Sequence, residues 1–323
     1  MKKFLIIRFS SIGDIVLTSP IIRCLKNGIP DAEIHFVTKA NFAGILEENP
    51  HITKVYSFQK EITEIIPALK TENYDHIIDL HKNLRSFRLK YALKKPSSSF
   101  HKLNVKKFLL AKLKLNFLPD IHIVDRYFGA LHKFNIQNDH KGLDYFIPKT
   151  DEVDPKQYGL SNQYIAFSIG GQFATKKMPN DKIISIIESI EETVVLIGGP
   201  TDRENGAAIA KGFKHVINLC GELNLNQSAS ILKQSTKVIT HDTGLMHIAA
   251  AFNRPIVSIW GNTVPELGMY PYLPENGAKY SIHQVELKCR PCSKIGYDKC
   301  PKGHFDCMNK QDLNEIQSAI KSN

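Results

Sequence analysis

Lys237-Val238-Ile239-Thr240-His241-Asp242-Thr243-Gly244-Leu245-Met246-His247-Ile248-Ala249-Ala250-Ala251 is the stretch that decides the fold. Its first four residues are mostly β-branched and read as a buried strand. The last eight, His247 apart, are small or apolar at helical spacing, and only a short polar turn separates the two. A strand that passes straight into a helix is one βα step, and such steps bury their apolar faces only in a parallel sheet covered by helices on both sides. Working outward, strands are expected at Tyr164–Ile169, Thr193–Ile197, Val216–Leu219 and Ile256–Trp260, with helices near 181–191, 202–211, 226–235 and 243–252. The same alternation appears before it, with strands at Lys3–Phe9, Glu33–Thr38, Lys54–Ser57 and His76–Leu80 and helices near 14–27, 41–48 and 61–72. The expected architecture is α/β, with two Rossmann-like halves over residues 1–150 and 151–323. The polar segment Asp139–Asn162, with Pro148 and Pro155, is the linker candidate. Between Lys94 and Phe134 the pattern turns helix-only, with Pro96–Ser99 as a loop and a basic amphipathic stretch around Val105–Leu115.

The chain of 323 residues is 42% hydrophobic and 23% charged, long enough for about two domains with their own cores. No run of about 18 apolar residues occurs, which excludes a transmembrane helix. Arg8 ends the apolar run Phe4–Ile7 too early for a secretory signal, so the protein is expected in the cytoplasm. The net charge is +10, and from Lys82 to Lys133 thirteen Lys and Arg stand against Asp120 and Asp125. That surplus points to polyanions: phosphorylated substrates, anionic lipid or nucleic acid. No nucleic-acid-binding pattern accompanies it, so nucleic acid is not expected as a partner.

Three loops at strand ends carry candidate chemistry. In open α/β sheets ligands bind beyond the carboxyl ends of the strands. Ser10-Ser11-Ile12-Gly13-Asp14 follows the first strand: two hydroxyls, a glycine that lets a backbone approach, and a carboxylate at a helix start, where the dipole favours its ionised form. On position alone, capping the helix is the simpler role for Asp14. Thr243 and Gly244 lie in a first helical turn, where unpaired N–H groups suit a diphosphate, and His247 is one turn further on the same face. The alternative there is Asp242 as the N-cap and His247 as a core histidine. Gly170-Gly171 followed by Lys176-Lys177 suits a loop that meets a phosphate, or else a solvated connection. Gly198-Gly199-Pro200-Thr201-Asp202 ends the next strand, where its acid can receive ribose hydroxyls. Neither Gly-x-Gly-x-x-Gly nor a P-loop is present.

Ser10-Ser11-Ile12-Gly13-Asp14, Lys176-Lys177-Met178-Pro179, Asp242-Thr243-Gly244-Leu245-Met246-His247 and Trp260-Gly261-Asn262-Thr263-Val264-Pro265-Glu266 together resemble glycosyltransferase family 9, the ADP-heptose:lipopolysaccharide heptosyltransferases. The resemblance covers nearly the whole chain in order. It implies the GT-B architecture, with two Rossmann-like domains whose parallel sheets face across a cleft, acceptor mainly on the first and nucleotide sugar on the second. It implies an inverting transfer of heptose from ADP-heptose to the lipopolysaccharide inner core, without a catalytic metal.

By motif, Asp14 matches the base and Lys176 the diphosphate-binding lysine. Gly171, Leu223, Asp242, Thr243, Gly244, Leu245 and His247 fall on the donor side. Ser10, Ser11, Gly13, Lys82 and Arg85 fall on the acceptor side, where Lys82 and Arg85 meet the acid groups of a lipid A core. Met178 departs from the family's usual Trp. The basic stretch fits peripheral contact with an anionic inner membrane. A GT-B epimerase or hydrolase, and a non-catalytic nucleotide or polyanion binder, are the alternatives.

Cys289, Cys292, Cys300 and Cys307 crowd into nineteen residues, with His283 and His304 near them. Four soft ligands suit a structural Zn²⁺; packing thiols or a disulfide pair are the other possibilities. Cys24 and Cys220 read as core.

Overall fold

The structure is a computed structural model that describes residues 2–160 and 163–322. Ser161 and Asn162, at the end of the expected linker, lie outside the described residues, as do the two terminal positions. The chain forms two compact units. The first takes the residues up to Lys102 together with Ile121–Phe146, and the second takes Leu103–Asp120 and the chain from Ile147 onward.

The first unit is built in the order β1 (Lys3–Ile7), α1 (Ile12–Val16), α2 (Ser19–Gly28), β2 (Glu33–Lys39), β3 (Lys54–Phe58), α3 (Ile66–Thr71), β4 (His76–Asp79), α4 (Leu84–Leu93) and β5 (Ser97–Ser99). After α5 (Asn104–Phe108), which belongs to the second unit, α6 (Ile123–Phe128) returns to the first. Its strands form one parallel sheet in the order β3-β2-β1-β4-β5. β1 and β4 are apolar along almost their whole length because helices cover both faces, and Leu5, Ile7, Val37 and Ile77 pack with Leu69, Leu89 and Leu93.

The second unit continues with β6 (Tyr164–Ser168), α7 (Asn180–Ile187), β7 (Thr193–Ile197), α8 (Arg203–Ala210), β8 (Val216–Asn218), α9 (Leu225–Gln234) and β9 (Lys237–His241). It ends with α10 (Gly244–Ala251), β10 (Ile256–Trp260), β11 (Tyr280–Gln284), α11 (Asp306–Asn309) and α12 (Leu313–Lys321). All six strands are parallel, in the order β11-β10-β9-β6-β7-β8. Counted from β6 this is the 3-2-1-4-5-6 order of the doubly wound dinucleotide-binding fold. In both sheets the strand order reverses beside the first strand, between β1 and β4 and between β6 and β9. Asp14, Lys82, Gly171 and Thr243 lie in or just past the loops after those four strands.

Each expected strand forms. The differences lie where local pattern is weak. The helix expected at 14–27 breaks after Val16, because Pro20 fits only the first turn of a new helix. Residues 40–45 make a 3₁₀ segment instead of an α-helix. Pro96–Ser99, expected as a loop, supplies edge strand β5, and β11 answers to no expected strand. The boundary expected at 150 falls after Phe146, and Leu103–Asp120 belongs with the second unit instead of the first. Leu110 packs on Val264 and Leu267, and Lys114 Nζ donates to the Pro291 carbonyl at 2.6 Å. These partners lie about 150 residues away or more, so no local pattern announces them. Among the described residues no helix is long and apolar enough to cross a membrane.

Candidate active site

β1 ends at Ile7, and the backbone turns so that Arg8, only 8% exposed, points into the first unit. A buried guanidinium needs acceptors for its fixed fork of donors. It finds four: Nε donates to the Ser10 carbonyl at 2.9 Å, Nη1 donates to the Leu80 carbonyl at 2.6 Å and to Tyr127 Oη at 3.0 Å, and Nη2 pairs with Asp14 Oδ1 at 2.5 Å. Ser11 is the N-cap of α1 and Asp14 its third residue. Asp14 Oδ2 accepts from the Ser11 N–H at 3.2 Å and from the Ser11 hydroxyl at 2.8 Å.

The helix-capping and chemical roles of Asp14 are therefore compatible. Burial alone would raise its pKa, but the Arg8 charge and the Ser11 bonds outweigh burial and hold it below the usual carboxylate range. Its side chain is still 21% exposed, so a ligand can reach it. Beside it, burial together with the Arg8 and Lys102 charges pushes His81 down to about 3, and its ring lies 4.8 Å from Phe9. That imidazole is neutral near pH 7.

The other acceptor-side expectations divide. Ser11 spends its hydroxyl on Asp14, and the Ser10 carbonyl serves Arg8. Gly13 is buried inside α1. Lys82 Nζ donates to the Phe100 carbonyl at 2.9 Å, which commits one of its three hydrogens inside the unit. Arg85 lies in the first turn of α4, partly exposed. Sequence reasoning missed Arg8 and His81. The available signal for Arg8 was a lone charge between the apolar run of β1 and Phe9.

In the second unit, β6 and β9 deliver the donor-side residues to the sheet's reversal point. A Cβ on Gly171 would lie 3.4 Å from both Thr243 Cγ2 and Lys177 Cγ, so this backbone runs against Thr243. Lys176 closes a 3₁₀ turn over the start of α10. Its Nζ donates to Asp242 Oδ2 at 2.6 Å and to the Asp242 carbonyl at 3.0 Å, and Thr263 Oγ1 donates to the same Oδ2 at 2.7 Å. Thr243, not Asp242, is the N-cap of α10. Its Oγ1 is buried and, among the described residues, has no hydrogen-bond partner. Gly244 and Leu245 open α10 partly exposed, and His247 is buried one turn on.

A buried hydroxyl without a partner is costly unless a ligand completes it. The positive end of α10 and the Lys176 ammonium held on Asp242 make the start of this helix electropositive. Met178 is a core residue, and its N–H donates to His241 Nε2 at 3.1 Å, an imidazole that burial lowers to about 4 and keeps neutral. The departure at Met178 thus leaves the lysine loop anchored.

One donor-side expectation changes. Asp202 is buried, which keeps a ribose from it, and its oxygens serve the protein: Oδ1 pairs with Lys177 Nζ at 3.0 Å and Oδ2 accepts the Gly199 N–H at 3.0 Å. Leu223 is buried in the turn after β8. That turn is set by Gly221 at φ +75°, whose N–H donates to the Gly198 carbonyl and which packs too tightly on Pro200 for any side chain. Leu223 therefore lies beyond the carboxyl end of β8.

The cysteine expectation is corrected. Among the described residues no three His, Cys, Asp or Glu side chains form a group that could hold a metal ion, so the structural zinc has no support. All six cysteines are free thiols. Cys292 Sγ donates to the Cys289 carbonyl, and burial pushes Cys307 up to about 12, values that keep it a thiol. This tail instead braces the end of β10 and the turn that carries Lys176. Buried Arg290 donates to the carbonyls of Gly261 and Thr263 at 2.6 and 2.7 Å, and the Tyr297 carbonyl accepts both the N–H and the hydroxyl of Thr175, next to Lys176.

Two Rossmann-like parallel sheets in one chain are the architecture of the GT-B fold. The chain belongs to glycosyltransferase family 9, the heptosyltransferases, whose family profile matches residues 62–298. Lipopolysaccharide heptosyltransferase 3 of Escherichia coli strain K12 is 25% identical over 277 residues, which span 78% of this chain and 80% of that protein. The family 9 glycosyl transferase of Veillonella parvula DSM 2008 has the same fold, at a TM-score of 0.72 and 22% identity over 87% of this chain and 85% of that one. So has the E. coli heptosyltransferase WaaC with ADP, at 0.70 and 20% over 99% of both. The matched span contains Lys176, Asp242, Thr243 and His247 but begins after Asp14.

Proposed function

We infer that this enzyme moves heptose from ADP-heptose to an acceptor sugar of the lipopolysaccharide inner core, with inversion at the anomeric carbon. The observation that carries this reading is Lys176 Nζ held on Asp242 at the amino end of α10, where the buried Thr243 hydroxyl has no partner among the described residues. Lys176 has three hydrogens, and Asp242 takes two, which leaves one for a diphosphate oxygen. As the sugar departs, negative charge grows on that diphosphate. The ammonium, the Thr243 hydroxyl and the free N–H groups of the first turn of α10 then bind the transition state more strongly than the ground state. In this reading they supply the positive charge for departure, and no catalytic metal is invoked.

Asp14 takes the proton of the attacking acceptor hydroxyl. Arg8 and Ser11 occupy part of each oxygen, but a carboxylate has about four acceptor sites, so room remains for the substrate hydroxyl. An ionised carboxylate with a lowered pKa is a weak base, and holding the hydroxyl in line contributes as much as proton affinity. On the acceptor side, Arg85 and the remaining hydrogens of Lys82 fit acidic groups of a lipid A core. The eleven-charge surplus between Lys82 and Lys133 supports electrostatic contact with an anionic membrane.

The decisive experiment incubates the protein with ADP-heptose and a heptose-free lipid A core, followed by mass spectrometry. Gain of one heptose on the acceptor, with donor consumed only when acceptor is present, is the expected result. Donor turnover without acceptor would point to an epimerase or hydrolase instead.

The pH dependence carries its own prediction. Asp14 must be ionised to act, so activity is present above its pKa and lost as pH falls through it, below the usual carboxylate range. Of the groups around it, His81 and Tyr127 are neutral near pH 7 and Asp79 pairs with Lys90 Nζ at 2.9 Å, which leaves Arg8 as the cation that holds Asp14 down. Arg8→Gln shifts the acid limb of kcat/KM upward, and Arg8→Lys restores much of the shift. An unmoved limb in Arg8→Gln would remove Asp14 from the role of base.

A further inference from the structure

The forty residues from Leu80 to Pro119 contain eleven Lys or Arg and no Asp or Glu. The same forty hold eight of the twelve large hydrophobic side chains most exposed among the described residues: three on α4 and five between Val105 and Phe117. Positive charge and exposed apolar side chains therefore share one stretch of sequence. Scattered exposed apolar residues need no explanation, but a charge-rimmed stripe on one helix does.

On α4 the arrangement is regular. Ser86, Leu89 and Leu93 point into the unit, where Leu89 and Leu93 join the core of the first sheet. Leu84, Phe87 and Tyr91, spaced i, i+3, i+7, form one stripe on the outer side, exposed by 79%, 61% and 74%. Arg88 and Lys94 flank that stripe. Asn83 caps the helix, its Oδ1 accepting the Ser86 N–H at 2.9 Å, and Lys94 ends it in the left-handed conformation, so the helix is formed before anything binds. A soluble helix would place polar residues on this stripe.

We propose that α4 is an interfacial helix that lays Leu84, Phe87 and Tyr91 into the headgroup and upper acyl region of an anionic bilayer, with Arg88 and Lys94 on the lipid phosphates. An apolar stripe inside a basic rim is the pattern of helices that lie in the membrane plane. A nucleic acid would meet the charge but would leave Leu84 without a complementary surface. The inference goes beyond the electrostatic contact above, because it assigns insertion to three named side chains, and it stands or falls independently of the transfer reaction.

The test uses the full-length protein and vesicles of phosphatidylcholine with or without phosphatidylglycerol. Sedimentation with the anionic vesicles is expected, with at least tenfold weaker partitioning for Leu84→Ser/Phe87→Ser/Tyr91→Ser. Because the three side chains are exposed, the thermal midpoint and circular dichroism of this variant should match the parent. The single native tryptophan, Trp260, is buried, so Phe87→Trp supplies a clean reporter. Its emission should shift blue on anionic vesicles and be quenched by lipids brominated in the acyl chain. Binding that is unchanged in the triple serine variant, equal binding to pure phosphatidylcholine, absence of vesicle binding, or preference for single-stranded RNA over vesicles would each overturn the proposal.

Discussion

Asp14→Asn lowers the rate constant for heptosyl transfer by about 10²- to 10⁴-fold, the usual worth of a general base, with donor affinity changed less than about twofold. The substitution keeps the shape of the side chain and removes only its charge and basicity. Arg8 keeps the Ser10 and Leu80 carbonyls and Tyr127 as partners, so the loop after β1 stays ordered. Single-turnover measurement of transfer, with ADP binding by calorimetry and a thermal melt as controls, separates chemistry from folding. A variant that retains more than about a tenth of the parent rate would remove Asp14 from the mechanism. Because the family match begins at residue 62, this experiment tests the part of the site for which geometry is the main support.

Lys176→Met lowers kcat/KM by about 10²- to 10³-fold, the cost of removing one donor aimed at developing charge. It also leaves Asp242 as a buried carboxylate with Thr263 as its remaining side-chain donor, which is unfavourable in itself. The double variant Lys176→Met/Asp242→Asn removes that stray charge. Recovery of stability without recovery of rate is the expected outcome, and ADP affinity should fall in both variants. If the double variant regains the parent rate, the lysine serves only to neutralise Asp242. The two substitutions also divide cleanly: Asp14→Asn should spare ADP binding, whereas Lys176→Met should weaken binding and rate together.

Much of this could be read from the chain. The alternation of buried strands with helical periods fixed two parallel sheets, because such strands have no other stable burial. The loops after β1, β6 and β9 were legible as ligand loops, because open sheets bind beyond their carboxyl ends and glycine, hydroxyl and charged residues gather there. Thr243, Gly244, Lys176 and Asp14 each lie at the reversal point of their sheet.

Other features depended on partners remote in sequence. Arg8 reads as an interruption of an apolar run until Leu80 and Tyr127 close around it. Asp202 looks free until Lys177 and Gly199 take its oxygens. The four late cysteines have metal-like spacing, but spacing does not orient thiols, and the tail's actual contribution comes from Arg290 and Tyr297 bracing the strand ends. Segment Leu103–Asp120 is basic and amphipathic on any reading, yet its unit was decided by Val264, Leu267 and Pro291. Periodicity and turn chemistry act within a few residues, so the sequence alone determined the sheets and the loops that bear the chemistry. Which charges are neutralised, and which side chains meet at the strand ends, depends on groups brought together by the tertiary fold.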